Sequence, residues 1–312
     1  MIELVKLLVW CERRRGRNTM SESDEDASPE ELAEIMHFLI TKSPPHQALL
    51  VAKDCKTITT AAAVDELLPG ALLEFNVANS VVVAMASGNK VILCEAAQVD
   101  EAHFIEPVAR KVVGVNHSTQ SVDEADVRDA TDAEMGQAAE HGAVLAQVQA
   151  YVDRQYMDGR AACGVYGTEG GLAVVISGSY EKLSPSQLAG SWVTTVDVAL
   201  SGSSATLSGS VRIVSHYFES GNIQLESDKT FASLDAAYTD SASLAAAVAK
   251  YVVENETAMT DALDDLYEGL NTQTIKEMRM TLPITRERFD WMKGDLAASI
   301  AKDDWTKKSG PK

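Results

Sequence analysis

From about Ser241 to Thr281 the chain holds one helical period for about forty residues. Leu244, Val248, Tyr251, Asn255, Met259, Ala262 and Leu266 recur every three or four positions. A helix of that length spans about 60 Å. Just before it come five strand-like runs: Ala161 to Tyr166, Leu172 to Tyr180, Trp192 to Leu200, Ala205 to Phe218 and Asn222 to Ser227. Turns rich in Gly and Ser separate them, and consecutive strands joined by short turns form an antiparallel meander. Five strands about 4.8 Å apart make a sheet far narrower than the helix is long. Either the helix bends, or part of its apolar stripe packs on something this chain lacks. A partner subunit that extends the sheet is the simplest answer.

The N-terminal half reads as helices followed by short strands. Met20 to Ala27 is acidic and polar, the composition of a disordered extension (1–27). Ser28-Pro29-Glu30-Glu31 has a Ser N-cap, Pro at the first helical position and Glu placed to close a capping box. Leu32, Ile35, Met36 and Leu39 then share one helix face, and Ser43-Pro44-Pro45 ends it. A second helix is expected over about Gln47 to Thr57. Strands are expected at Leu72 to Val77, Ser80 to Ala86, Lys90 to Glu95 and Lys111 to Val115, with Ser87-Gly88-Asn89 as a turn. Gln120 to Ala133 is charged and poor in large apolar residues, so it reads as a loop. Ala133 to Met157 returns to a helical pattern, closed by Asp158-Gly159.

Charge narrows the partners. The formal net charge is −19, which disfavours nucleic acid and anionic membranes, because phosphate contacts need clustered Lys and Arg. From Ile275 onward there are nine Lys/Arg and six Asp/Glu, a net of +3, so the preceding residues carry −19 − 3 = −22. A basic tail on an acidic body favours an acidic protein partner. Cys11, Cys55, Cys94 and Cys163 form no C-x-x-C pair and no zinc spacing, and scattered thiols fit a reducing compartment. No run approaches a membrane span. At the N-terminus the apolar patch precedes Arg13, Arg14 and Arg15, the reverse of a signal peptide, and Met20 is an alternative start. The sequons at Asn116 and Asn255 would go unused in a cytosolic chain.

Five segments, in order, resemble the F-actin-capping protein alpha subunit family. They are Phe38-Leu39-Ile40-Thr41 leading into Ser43-Pro44-Pro45; His103-Phe104-Ile105-Glu106-Pro107; Tyr151-Val152 with Tyr156, Gly159 and Val165-Tyr166; His216 through Leu225; and Leu282-Pro283-Ile284-Thr285-Arg286 through Asp290-Trp291. The last two are specific and the first three are weak alone; together they cover about Ser28 to Ile300. The resemblance implies an α+β fold. N-terminal helices and short strands precede a five-stranded antiparallel sheet covered by a long C-terminal helix. A body over 28–281 is then followed by a mobile amphipathic helical arm over 282–312. It further implies an obligate heterodimer with a capping protein beta subunit whose sheet joins this one. Such a dimer binds the barbed end of an actin filament independently of calcium, blocking subunit gain and loss, in the cytoplasmic cytoskeleton. No enzyme activity and no cofactor are implied.

The family's basic actin contacts match Lys276, Arg279 and Arg286 here, with Arg288 where the family often has Lys; a further basic position falls on Met280. Without the resemblance these charges would read as a solvated helix face, each worth under about 1 kcal/mol. Beyond Pro283, the residues Phe289, Met292, Leu296 and Ile300 form a helical stripe with Thr285 as N-cap. Such a short helix is marginal alone, so it should fold or dock on binding. Gly294 and Ala297-Ala298 make this arm less apolar than is usual for the family. Trp291 reads as a clasp at the root of the arm, and His216 as a structural strand residue. Gly167 to Gly171 lacks the Lys-Ser/Thr of a phosphate loop, and no H-E-x-x-H, metal spacing or nucleophile pairing is present. Other readings are a cap for an actin-related minifilament in a dynein-activating complex, a scaffold subunit without actin binding, and an α+β enzyme using the sheet surface.

Overall fold

The computed structural model describes residues 28–58, 62–135, 138–156, 160–182, 188–217 and 223–269. The chain opens with three helices: α1 (Pro29–Thr41), α2 (Ala48–Ile58) and α3 (Ala62–Ala78). The capping box forms as its spacing dictates. Ser28 Oγ accepts the Glu31 N–H at 3.2 Å, and Glu31 Oε2 accepts the Ser28 N–H at 3.0 Å. Met36 and Ile40 of α1 pack with Ala48, Ala52 and Cys55 of α2 and with Leu68, Leu72 and Phe75 of α3.

Leu72 to Val77, expected as a strand, lies inside α3. Its buried residues Leu68, Ala71, Leu72 and Phe75 stand at i, i+3, i+4, i+7 and face the other two helices. Leu73 and Val77 pack instead against the strands that follow. A helix apolar on two sides shows a continuous run instead of a stripe, and Pro69 in its interior argues against a helix on propensity alone.

The small strands come next. β1 (Val81–Ala84) and β2 (Lys90–Leu93) form a hairpin whose turn uses Gly88 at φ 91°. β3 (His103–Glu106), β4 (Lys111–Asn116) and β5 (Ser121–Asp129) form an antiparallel three-stranded sheet. β5 occupies the stretch expected to be a loop. It pairs with β4 across a register shift between Val113 and Gly114, and eight of its nine residues are exposed. Backbone pairing and ion pairs such as Lys111–Asp129 (2.5 Å) and His103–Asp126 (2.9 Å) hold it. Composition hides such a strand, because a charged edge is also how sheets avoid further pairing.

α4 (Asp132–Met135) and α5 (Ala138–Gln155) lead into the meander. Its strands are β6 (Ala161–Thr168), β7 (Gly171–Lys182), β8 (Leu188–Ser201), β9 (Ser204–Tyr217) and β10 (Ile223–Thr230), hydrogen-bonded in chain order and antiparallel throughout. An unanticipated β11 (Leu234–Ala237) continues the β10 edge: β10 pairs with Ser210–Tyr217 of β9, and β11 with Ser204–Leu207. The chain steps between the two at Phe231, which is buried and donates its N–H to Gly209 O at 2.8 Å.

Both sheet faces are used. On one, Val165, Val174, Ile176, Val196, Leu207 and Val211 pack against α5 and the long helix α6 (Ser241–Gly269). On the other, Ala162, Tyr166 and Val175 pack against the small strands. α6 begins at the expected residue and buries Leu244, Val248, Tyr251 and Met259. Asn255 is only half-buried and Ala262 is exposed, while the Leu266 side chain and residues 270–281 lie outside the described residues. The 29 described residues still span about 43 Å, against about 19 Å between the outer strands of a five-stranded sheet. Met259 is the last of the described α6 side chains to be buried, ten residues before Gly269.

Gly171 must lack a side chain: a Cβ there would overlap the Val198 carbonyl oxygen and stand 2.9 Å from its carbon. Backbone in mid-sheet cannot yield. Gly171→Ala is expected to lower stability by about 3 kcal/mol, read as a reduced urea midpoint.

Candidate functional site

All eight residues assigned from sequence to actin contact (Lys276, Arg279, Arg286, Arg288, Phe289, Met292, Leu296 and Ile300) lie outside the described residues, as does Trp291. The described element nearest to them in the chain is α6, which packs on one face of the central sheet.

A buried carboxylate pins α6. Glu256, 3% exposed, accepts the Tyr151 hydroxyl (2.6 Å) and the Tyr156 hydroxyl (3.0 Å) on Oε2 and the Thr194 hydroxyl (2.5 Å) on Oε1. Thr194 Oγ1 in turn accepts Trp192 Nε1–H at 3.0 Å. Tyr151 belongs to α5, Tyr156 follows directly after it, and Thr194 and Trp192 lie on β8, so three elements converge on one side chain. Burial, then Glu256, drives the pKa of Tyr151 up; burial and the same carboxylate do so for Tyr156. Both phenols stay donors. Sequence periodicity missed Glu256, because a charged residue on a helix stripe counts against burial.

Beside this clasp no described residue covers the helix-bearing face. The row Tyr180, Gly190, Ser215 and the row Gly178, Trp192, Ile213 run across β7 to β9. They line an apolar groove of about 460 Å³, with Arg160 stacked 4.2 Å over the Tyr180 ring. Among the described residues β10 has a strand neighbour on one side only.

The N-terminal helices join the opposite face through polar contacts. Ser177 Oγ donates to Ser80 O at 2.7 Å. Arg212, on β9, donates to Ala78 O at 3.1 Å and pairs with Glu226 at 2.5 Å. Glu106, fully buried, accepts the N–H groups of Val108 (2.8 Å) and Ala109 (2.7 Å) and fixes the turn between β3 and β4.

The remaining titratable groups are tied to structure. His117 Nε2–H donates to Glu101 O (3.0 Å), so its Nδ1 accepts from Asn76 Nδ2 (3.1 Å), and Asn76 Oδ1 is taken by Gln120 (2.8 Å). A proton on Nδ1 would face a donor, and burial lowers the pKa of His117. His141 donates to Val165 O at 2.9 Å and is likewise lowered by burial. His103 sits between Asp100 (2.8 Å) and Asp126 (2.9 Å), whose hydrogen bonds raise it. His216 is buried on β9, in keeping with its structural reading. Cys55, Cys94 and Cys163 are buried and free, and burial pushes Cys94 and Cys163 up to about 12. Among the described residues no cluster of three His, Cys, Asp or Glu could hold a metal, and no helix is long and apolar enough to cross a membrane.

An antiparallel meander with small strands on one face and two helices on the other is a fold shared with a solved actin capping protein subunit. The solved structure of a homodimeric actin capping protein alpha subunit from Plasmodium berghei superposes with a TM-score of 0.68 at 20% identity, over 81% of this chain and 98% of that one. The chain belongs to the F-actin capping protein alpha subunit family, whose sequence profile matches residues 36–303. It is similar to the F-actin-capping protein subunit alpha of Arabidopsis thaliana, 28% identical over 86% of this chain and 91% of that protein. It is also similar to that of Dictyostelium discoideum, 26% identical over 86% and 95%.

The histidines give opposite pH signatures. The unfolded chain binds protons below about 6.5 that folded His117 and His141 refuse, so their contribution to stability falls as pH drops below that value. The His103 contribution is complete below 6.5 and fades as pH rises through its raised folded value. Ring-proton NMR should show His103 titrating above 6.5, and His117 and His141 below it.

Proposed function

We propose that this chain is the alpha subunit of a heterodimeric cap that binds actin filament barbed ends, independently of calcium, and blocks subunit addition and loss. The observation that carries this reading is the extent of the family match, which runs through residue 303 and so includes every basic and apolar residue assigned to actin contact. In this reading Lys276, Arg279, Arg286 and Arg288 dock across the terminal subunits. Phe289, Met292, Leu296 and Ile300 add apolar contact from an arm over 282–312, on a body over 28–281 preceded by an extension over 1–27. Mechanism is steric, with no catalysis and no cofactor. The protein works in the cytoplasm on the cytoskeleton.

Three features favour a beta subunit that extends the sheet at β10. Among the described residues the strand has one neighbour, the groove beside Trp192 lies open, and α6 runs ten residues beyond its last buried side chain, Met259. A cap made of two copies of this chain is a second reading, favoured by the homodimeric Plasmodium relative. Co-expression with a candidate beta subunit, followed by pyrene-actin elongation from barbed-end seeds, tests both. Inhibition by the mixed dimer alone supports the first; equal inhibition by the chain alone supports the second. Absence of inhibition by either folded dimer removes actin capping from consideration.

If the basic root steers docking, Lys276→Glu with Arg286→Glu should slow capping about tenfold at low salt and flatten its dependence on ionic strength. Unchanged kinetics would remove these residues from the site.

A further inference from the structure

We propose that Glu256 is the positioning residue for the filament-binding segment: it sets the axial register and roll of α6, and so the point from which that segment leaves the body. This role rests on the capping activity proposed above. The apolar contacts of α6 come before it, at Leu244, Ala245, Val248, Tyr251 and Val252, with one hydrogen bond from the Tyr251 hydroxyl to Ala232 O (2.9 Å); beyond it only Met259 is buried among the residues whose side chains are described. From Glu256 to Gly269 the helix runs 13 residues further, about 20 Å. A tilt of about 10° at Glu256 would move that far end by about 3.5 Å. Apolar contact is non-directional and tolerates such slippage. Hydrogen bonds from α5 and β8 to the two oxygens of one carboxylate do not, because each is directional and all three donors sit on other elements. Buried polar groups are best attested as register devices of this kind.

Three variants, each assembled with the beta subunit, separate positioning from simple stability. Glu256→Gln keeps size and hydrogen bonding; Glu256→Leu keeps only apolar fill, a change that buried ionic groups often tolerate; Tyr156→Phe removes one donor and leaves the ring. Two quantities are read well below the unfolding temperature. One is the dissociation rate from barbed ends. The other is the distance distribution between spin labels at the exposed positions Asp197 and Asp265, with Cys11→Ser in the background.

Glu256→Leu should dissociate about tenfold faster, the shift expected when one set of charge-assisted hydrogen bonds is lost, and should broaden the label distribution. Tyr156→Phe should show the same changes at about two- to threefold, which keeps the test decisive if Glu256→Leu fails to fold. Glu256→Gln should restore both quantities. Unchanged distributions in the Leu and Phe variants would overturn the clasp, and broadened distributions with wild-type dissociation would overturn its role at the filament. A wild-type dimer that never caps would sink the capping reading, while the label distances would still report on the clasp.

Discussion

Everything in this protein leans on the contact between α6 and the inner face of the central sheet. Leu244, Val248, Val252 and Met259 are each at least 96% buried there. Burying four such side chains contributes about 6–12 kcal/mol before ordering is counted. That contact closes the largest apolar cluster, which also takes in α5 and four strands of the meander. It is apolar along its length except at Glu256 and at the Tyr251 hydroxyl, which donates to Ala232 O at 2.9 Å. The single charged group is satisfied from three directions, so it specifies a position without leaving a buried charge unpaired.

The opposite face works by different physics. The small strands and α3 reach the sheet through a mixture of apolar packing around Tyr166 and Val175 and discrete polar ties at Ser177, Arg212 and Lys90. Those ties satisfy backbone groups at turns, where helices and strands end and carbonyls would otherwise lack partners. The described body is thus a sheet packed on both faces, and among the described residues β10 has no second strand neighbour and the groove beside Trp192 is open.

Much of this was legible in residue order. The capping box at Ser28, the five meander strands and the start of α6 follow from local rules of spacing and turn chemistry, and they stand where those rules put them. The failures are equally instructive. Leu72 to Val77 looks like a strand because α3 is squeezed between two layers and has lost its one-sided stripe. β5 looks like a loop because backbone pairing and ion pairs to β3 and β4 hold it, and neither leaves an apolar alternation in the sequence. β11 left no signal, since four half-polar residues acquire strand geometry only because β9 offers an unpaired segment. The residues proposed to meet actin were legible only through family resemblance, for no periodicity distinguishes a binding charge from a solvated one.

The sequence by itself determined the first two helices, the antiparallel meander, the start of the long last helix and the charge contrast between body and tail. These are consequences of nearest-neighbour spacing along the chain, where helical and extended periods differ. Tertiary structure alone decided that Glu256 would be buried, that Tyr151, Tyr156 and Thr194 would meet it, and which sheet edge stays open. Those outcomes depend on contacts between residues 62 to 105 positions apart, and a local pattern carries no information about which distant hydroxyl will face a given carboxylate.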